Sequence, residues 1–419
     1  MNKTFATVLI GGSVLFLTAC GNKDDNDDVV ITPQPTIPVN NIQNPVVRVE
    51  TYTDPNTEDA YPDLNADRQL LTYKMLGVDG KEVQATSLLF TPTGTVPANG
   101  WKIVVWAHGT VGVADKCAPS RQGLGSSTVL IQKLIDAGYV VVAPDYEGLG
   151  AEGNHPFLNL KSEAFSITDA VVAARNYLTS QGKNISTDWM TVGHSQGGHA
   201  ALGAAQYAAR ANLNYKGTIA VAPASNLETI LMAGENSVKD LPGNVQIPVY
   251  AKLDMFTALI VAGMQGHNIF VNYNQVFKPQ SAAIAPIAEV ECATDVANAF
   301  GAAMGQYAAT HNNSLQDYGR TQDNFMTLPV INNFLVNDAQ PGNVKLDQRV
   351  IIYQGSNDTT VPEGATLLLK AMLESKGTTF EYIDDKFITN VADRWDHGTV
   401  VTENVDNIVK DVKSLMPIQ

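Results

Sequence analysis

The segment Gly193-His194-Ser195-Gln196-Gly197 has the residue types and spacing of a nucleophile elbow, a sharp turn that exposes a reactive serine. Chain segments come close together in such a turn, so side chains two residues before and after the serine would collide unless both were glycine. Apolar residues 189–192 predict a strand before the turn, and the small residues 198–205 predict a helix after it. We therefore interpret Ser195 as a nucleophile; the alternative is an incidental serine in a glycine-rich turn.

A serine hydroxyl is a weak nucleophile at neutral pH until a histidine takes its proton and a carboxylate orients that histidine. On elbows of this type the acid and the histidine follow the serine in that order, each near a late strand of the sheet. Asp358 follows residues 350–353, which predict a strand, and His397 is the one histidine beyond it. We expect Ser195, Asp358 and His397 to form a catalytic triad. The alternatives are a helix-capping aspartate and a surface histidine.

The oxyanion that forms during acyl transfer needs fixed hydrogen-bond donors, which are usually backbone amides. Gln196, directly after the nucleophile, is expected to supply one of them. The second should come from the loop after the predicted strand at residues 103–107, where we nominate Thr110. Lipases with a His-Gly-Gly-Gly loop carry glycine at that place, and this chain departs from them.

The order of predicted elements indicates how these residues are positioned. Alternating segments at residues 70–76 and 83–90, separated by Asp79-Gly80, predict an antiparallel hairpin. Short apolar runs then alternate with amphipathic stretches, as a parallel sheet buried on both faces requires. The predicted strands are residues 103–107, 139–143, 189–192, 218–222, 350–353 and 380–383, and the predicted helices are about 126–137, 162–178, 195–213, 362–375 and 403–415. The sequence thus predicts an α/β fold with a mostly parallel sheet and an antiparallel N-terminal hairpin.

Residues 225–345 interrupt this alternation, because the interval is too long for one crossover. Much of it is apolar with a helical pattern, and we interpret it as a cap over the active-site face. Residues 51–224 and 346–419 then form the predicted hydrolase core. The cap would supply an apolar pocket for an acyl group.

The N-terminus resembles the export signal of bacterial lipoproteins, since a basic residue and an apolar run lead to Leu17-Thr18-Ala19-Cys20. We predict a signal peptide at residues 1–19, lipidation of Cys20, and a disordered Asn-, Asp- and Pro-rich tether over residues 20–50. Gly21 after the cysteine, where an aspartate would retain a lipoprotein at the inner membrane, favours the outer membrane. We therefore expect a lipid-anchored protein in the cell envelope of a Gram-negative bacterium.

The charge balance limits the partners of the protein. With 27 Lys and Arg residues against 42 Asp and Glu residues, the chain is acidic and would repel nucleic-acid phosphates. No close cluster of His, Cys and Asp has the spacing of a zinc or iron site. We expect no nucleic-acid partner, no metal and no other cofactor.

Cysteine usage agrees with an oxidising compartment. If Cys20 carries lipid, Cys117 and Cys292 remain as a pair. We prefer a long-range disulfide between them to the alternative of two buried thiols.

Several motifs together resemble the secretory lipase family of α/β-hydrolases. They are His108-Gly109-Thr110, Pro144-Asp145-Tyr146-Glu147-Gly148-Leu149-Gly150, His155-Pro156-Phe157, the segment from Gly193 to Gly198, and Asp358 with Val361-Pro362. The resemblance spans about residues 65–416 and includes the long cap. It implies Ser195, Asp358 and His397 as the triad, and it supports a bond between Cys117 and Cys292.

The leading hypothesis is a serine hydrolase of the lipase or esterase type that cleaves neutral, apolar carboxylic esters through an acyl-enzyme intermediate. A serine peptidase or amidase is the first alternative, because a fold alone does not decide the leaving group. Such an enzyme would need a charged cluster to hold a free peptide terminus, and the sequence reveals none. The second alternative is a non-catalytic, surface-binding lipoprotein, although all three triad candidates are present.

Overall fold

A nine-stranded β-sheet runs through the computed structural model, which describes residues 37–55, 64–267 and 269–418. The residues from Ile37 onward form one compact unit. The predicted signal peptide at residues 1–19 and the predicted lipidation site Cys20 lie outside the described residues.

The sheet begins antiparallel and continues parallel. Its strands are β1 (Val46–Thr51), β2 (Ala66–Leu76), β3 (Glu82–Pro92), β4 (Trp101–Ala107), β5 (Val140–Pro144), β6 (Ile185–His194), β7 (Asn214–Val221), β8 (Val350–Tyr353) and β9 (Phe380–Ile383). They are ordered β1-β2-β3-β5-β4-β6-β7-β8-β9 across the sheet. The pairs β1–β2, β2–β3 and β3–β5 are antiparallel, and all later neighbours are parallel. The predicted α/β fold and its N-terminal hairpin are confirmed.

Helices follow most strands and cover the sheet. They are α1 (Pro119–Gln122), α2 (Ser127–Asp136), α3 (Leu160–Ser180), α4 (Gln196–Gln206), α5 (Leu227–Val238), α6 (Gly243–Gly266), α7 (Tyr273–Val276), α8 (Pro279–Ala282), α9 (Ala293–Thr310), α10 (Pro329–Asn333), α11 (Glu363–Ser375), α12 (Thr399–Thr402) and α13 (Val405–Leu415). Short 3-10 turns occur at Asp115–Cys117, Ala208–Ala211, Ala285–Glu289, Phe325–Thr327 and Val391–Asp393, and a π-helical turn at Phe334–Asp338.

Both faces of the parallel strands are buried. In β4, Ile103 and Val105 pack with residues of α3 and α4 on one face, whereas Val104 and Trp106 pack with residues of α2 and α13 on the other. A strand buried on both faces needs a continuous apolar run instead of alternation. This requirement is the physical reason why short apolar runs marked these strands in the sequence.

The predicted tether extends too far along the chain. Its last residues, Val46 to Glu50, belong to β1 and pair with β2. Farther upstream, buried Arg210 donates through Nη1 to the carbonyl oxygen of Pro38 at 2.8 Å, and Asn40 donates to Asp169 at 2.8 Å. The polar, proline-rich composition did not reveal these contacts, because their partners lie far away in the sequence.

Residues 225–345 lie between β7 and β8 and contain helices α5 to α10. Helix α6 packs against α5 and α9 around a buried apolar cluster that includes Leu259, Val261 and Phe300. Among the described residues, α6 alone is long and apolar enough to cross a membrane, judged by length and composition only. In its most apolar window, 72% is buried inside the protein, as in a core helix.

A disulfide joins this insertion to the core that contains the sheet. Cys117 lies in the 3-10 turn at Asp115–Cys117 and Cys292 directly precedes α9, with a Cα–Cα distance of 5.4 Å. Next to the bond, the backbone N–H of Ala293 donates to the carbonyl oxygen of Val111 at 2.9 Å. The beginning of α9 is therefore fastened to the loop that contains Thr110.

We predict that reduction of this disulfide lowers the thermal stability of the protein. The bond closes a loop across a sequence separation of 175 residues, for which loop-closure entropy gives a stabilisation on the order of 5 kcal/mol as an upper value. Melting curves with and without reductant measure the effect. A Cys117→Ala/Cys292→Ala double variant should melt at the reduced temperature under both conditions. Non-reducing peptide mapping that finds both cysteines as free thiols in exported protein would contradict the prediction.

Candidate active site

Ser195 occupies the turn between β6 and α4 in a conformation that few non-glycine residues adopt. Its backbone angles are φ 59° and ψ −119°, a region that costs on the order of 1–3 kcal/mol. Hydrogen bonds keep the serine there: its N–H donates to the carbonyl oxygen of Val221 at 2.9 Å, and its own carbonyl oxygen accepts from Ala224 at 3.1 Å. The end of β7 thus holds the strained turn in place.

The two glycines of the motif are required by close backbone approach. A Cβ atom on Gly193 would overlap the carbonyl oxygen of Gly197, and a Cβ atom on Gly197 would overlap the carbonyl oxygen of Ala107 at the end of β4. Neither obstacle is a flexible side chain that could move aside. Contacts between the backbones of β4, β6 and α4 therefore require glycine at both positions, as the sequence motif predicts.

The structure brings Ser195, His397 and Asp358 into one hydrogen-bonded chain. His397 Nε2 lies 2.9 Å from Ser195 Oγ, and His397 Nδ1 lies 2.7 Å from Asp358 Oδ2. Asp358 Oδ1 accepts from the backbone N–H groups of Thr360 and Val361, both at 2.8 Å. With the carboxylate as acceptor on Nδ1, the imidazole is left with an Nε2 lone pair that faces the serine hydroxyl.

Other aspartates near the histidine have different contacts. Asp396 Oδ1 accepts from the backbone N–H groups of Gly398 and Thr399 at 2.9 and 2.7 Å. Asp385 is fully buried and accepts from the backbone N–H groups of Ser356 and Trp395. Asp385 thereby joins the loop after β8 to the loop that contains His397, so it supports the relative position of the acid and the base.

His194 supports His397 through a hydrogen bond to its backbone. Its Nε2 donates to the carbonyl oxygen of His397 at 2.7 Å, and the two rings lie 4.5 Å apart. Burial lowers the pKa of His194 to about 3, with a further lowering by nearby His397. A neutral His194 with its proton on Nε2 fits this hydrogen bond. Nothing in the sequence indicated this contact between His194 and the base.

The two residues proposed for the oxyanion site are both close to Ser195, one in sequence and one across the cavity lining. Gln196 is the first residue of α4, where backbone N–H groups have no partner within the helix. Thr110 lines the cavity next to Ser195. The Thr110 loop is supported by Tyr146, whose hydroxyl donates to the carbonyl oxygen of His108 at 3.0 Å and whose ring stacks on the His108 ring at 4.3 Å.

Two cavities of different character meet at Ser195. The wider one has a volume of about 480 Å³ and polar as well as apolar lining, including Lys252, Asn298 and His397. The narrower one, about 40 Å³, is lined mainly by apolar side chains, together with Thr110, Ser195 and Thr360; the apolar residues are Phe157, Leu158, Ala224, Leu227, Ile230, Leu231, Phe256, Ile260 and Val361. Five of these residues belong to helices α5 and α6 of the insertion; they are Leu227, Ile230, Leu231, Phe256 and Ile260.

Sequence reasoning missed a buried acid behind the elbow. Glu163 of α3 is fully buried and contacts Gln196 and His199, with His155 close by. Its position at the head of an apolar helix, directly before Ala164 and Phe165, was a signal in the sequence. A carboxylate within a buried helix face needs a partner, and neither partner could be identified before the helices were packed.

Within residues 37–55, 64–267 and 269–418, no group of three or more His, Cys, Asp or Glu side chains could hold a metal ion.

A mostly parallel sheet with a serine at a strand-to-helix elbow, an acid after β8 and a histidine after β9 defines the class of α/β-hydrolases. The chain belongs to the secretory lipase family, whose family model matches residues 121–397. It is a carboxylic-ester hydrolase of the lipase and esterase type, and its family indicates lipid esters as substrates and a secreted or extracellular location.

Solved structures with the same fold are distant in sequence. LipA, a rice cell wall degrading esterase from Xanthomonas oryzae, superposes with a TM-score of 0.67 at 20% identity, covering 89% of this chain and 98% of LipA. Candida antarctica lipase A superposes with a TM-score of 0.60 at 18% identity, covering 81% of this chain and 76% of that lipase. No curated protein matches the chain significantly.

Proposed function

We propose that the protein cleaves esters through an acyl-enzyme intermediate, with Ser195 as nucleophile, His397 as general base and acid, and Asp358 as the carboxylate that orients the histidine. The observation that carries the proposal is the continuous hydrogen-bonded chain, with 2.9 Å between Ser195 Oγ and His397 Nε2 and 2.7 Å between His397 Nδ1 and Asp358 Oδ2. Distances of this size permit direct proton transfer between serine and histidine.

The proposed reaction proceeds in two balanced halves. Ser195 Oγ bonds to the ester carbonyl carbon while its proton passes to His397 Nε2, and the carbonyl oxygen becomes negative. Collapse of this intermediate breaks the bond to the alcohol oxygen, which takes the proton from His397 and leaves. Water then repeats the sequence on the acyl-enzyme and releases the carboxylic acid. The backbone amides of Gln196 and Thr110 are proposed to stabilise the negative oxygen in both halves.

The two cavities suggest where the parts of the ester bind. We propose that the narrow cavity takes the acyl chain, because its lining is nearly free of polar groups. The alcohol part would occupy the wider cavity, where Lys252 and Asn298 provide polar contacts. The small volume of the narrow cavity favours short acyl chains, since overfilling a packed apolar site is costly.

Replacement of the proposed triad residues tests the mechanism. Ser195→Ala and His397→Ala should each lower kcat by several orders of magnitude, because the triad acts as a unit, and Asp358→Asn should also be severe. A fluorophosphonate probe should label the wild type and leave Ser195→Ala unlabelled. Asp396→Asn is the matched control for the acid, because the Asp396 carboxylate lies next to His397 in the chain and accepts from the backbone N–H groups of Gly398 and Thr399 instead of from the His397 ring. Near-normal turnover of Asp358→Asn would show that its assignment as the acid is wrong.

The acyl assignment is tested with nitrophenyl esters of increasing chain length. The wild type should prefer short chains, and Ile230→Trp should lower kcat/KM for butyrate by about 10-fold or more while acetate changes little. Met232→Trp on the same helix is the control, because Met232 is 48% exposed and lies outside this cavity. If both substitutions affected short and long esters equally, the narrow cavity would not be the acyl site.

We also propose that Cys20 carries lipid and anchors the protein in the cell envelope, at the outer membrane of a Gram-negative bacterium. The support is the lipobox-like segment Leu17-Thr18-Ala19-Cys20 and the polar residues after it. A lipid anchor followed by an extended tether would keep the enzyme at a membrane surface.

Metabolic labelling with a radioactive fatty acid tests the anchor in the full-length protein. The wild type should incorporate label and fractionate with membranes, whereas Cys20→Ser should lose both properties. Cys117→Ser is the control, because this cysteine lies inside the folded unit and should leave labelling unchanged. A mature N-terminus at a residue other than Cys20 would refute the proposal.

A further inference from the structure

Four side chains form a buried group behind the elbow, which we call the elbow network: Glu163 of α3, His155, and Gln196 and His199 of α4. None of them is more than 1% exposed. Glu163 accepts from His199 Nδ1 at 2.5 Å through one carboxylate oxygen and from Gln196 Nε2 at 2.8 Å through the other. Gln196 Nε2 also lies 2.7 Å from His155 Nε2.

The proton positions in the elbow network follow from its acceptors. His199 Nδ1 faces a carboxylate, and His199 Nε2 lies 2.9 Å from the carbonyl oxygen of Ala339. Because both partners of the ring are acceptors, both ring nitrogens of His199 are placed to donate, as in an imidazolium. His155 Nδ1 donates to the carbonyl oxygen of Glu147 at 2.9 Å, which leaves His155 Nε2 to accept from the Gln196 amide.

Glu163 provides the matching negative charge. Burial alone would raise the pKa of Glu163, but its interactions with His199 and His155 reverse the shift and lower that pKa to about 2. The Glu163 carboxylate and the His199 ring, both fully buried, therefore face each other directly behind the first turn of α4. Loss of one partner would leave the other charge buried and uncompensated.

The elbow network attaches the first turn of α4 at two points. Gln196 and His199 lie three positions apart, so both project toward α3 from one side of the helix. The amide oxygen of Gln196 is buried and has no hydrogen-bond partner among the described residues, so the Gln196 side chain is oriented through its nitrogen alone. His199 also contacts Ala339, at the end of the 225–345 insertion. The same ion pair thus holds both the helix start and the insertion.

We propose that Glu163 and His199 are positioning residues for the oxyanion site. They fix Gln196, whose backbone N–H donates to the oxygen that becomes negative in the transition state. This inference rests on the proposed acyl-enzyme mechanism. Neither side chain reaches the substrate, and both act through the backbone of Gln196. A displacement on the order of 1 Å in such a donor can cost about 10²-fold in rate.

Glu163→Gln is the most direct test, because it preserves the shape of the side chain and removes its charge. A glutamine has one oxygen and one NH2 group, so one of the two carboxylate oxygens that accept from His199 and Gln196 is replaced by a donor. We expect kcat to fall by about 10- to 100-fold while KM changes by less than about threefold, since oxyanion contacts are made only in the transition state.

Asp169→Asn is the matched control variant. Asp169 also lies on α3 and is fully buried, and both of its carboxylate oxygens pair with Arg210, just beyond α4, at 2.8 Å. The pair of Asp169 and Arg210 therefore joins α3 to the segment directly after α4, at the end of that helix far from the elbow. Asp169→Asn should lower the melting temperature about as much as Glu163→Gln but leave kcat close to wild type. Equal kcat values for the two variants would overturn the proposal, because the loss would then reflect stability alone.

A transition-state analogue separates oxyanion positioning from other effects. The affinity of Glu163→Gln for a trifluoromethyl ketone, which forms an oxyanion with a serine nucleophile, should fall by the same factor as kcat/KM. Unchanged affinity together with reduced kcat would contradict a role at the oxyanion site. If the wild type bound no such analogue and resisted fluorophosphonate labelling, the proposed mechanism itself would fail, and that outcome is distinct from both others.

The wild-type protein provides a test that does not depend on a variant that folds. With 15N-labelled histidine at pH 7.5, where an ordinary histidine is mostly neutral, His199 should give the NMR signature of a ring protonated on both nitrogens. His199→Gln identifies that signal by its loss. A neutral His199 ring at this pH would overturn the ion pair and the proposal built on it.

Discussion

The close packing of three backbone segments at the elbow is the constraint on which the rest of the structure depends. The end of β4, the end of β6 and the start of α4 approach until Gly193 and Gly197 leave no room for a Cβ atom. Ser195 is held at a positive φ of 59° by the end of β7. The strained backbone of Ser195 is held by a hydrogen bond to Val221 at the end of β7. The pairing of β6 with β7 therefore keeps the serine in its position at the cavity.

The position of His397 is fixed by contacts with several residues. Asp358 holds the ring of His397, His194 holds its carbonyl oxygen, and Asp385 ties the neighbouring Trp395 to the loop after β8. The loop that contains Asp358 and the loop that contains His397 are anchored to each other, which fixes the relative position of the two side chains. The hydrogen bond to Ser195 at 2.9 Å is the result of that arrangement.

The insertion between β7 and β8 is attached to the core at places that surround the site. The disulfide between Cys117 and Cys292 fastens the start of α9 beside the Thr110 loop, while Ala339 accepts a hydrogen bond from His199 behind the elbow. Between these attachments, α5 and α6 provide the apolar wall of the narrow cavity. The insertion is therefore part of the site, and its packing influences both the acyl pocket and the backbone next to the nucleophile.

The sequence alone determined the fold class, the positions of most strands along the chain and the candidates Ser195, Asp358 and His397, because local steric needs and strand burial leave a readable pattern. It did not reveal β1 inside the proline-rich start, the support of His397 by His194 and Asp385, or the partners of Glu163. These depend on contacts such as Glu163 with His199, which lie 36 positions apart, and Asn40 with Asp169, which lie 129 apart. Buried polar groups acquire partners only when separate elements pack together, so their roles were decided by the tertiary structure.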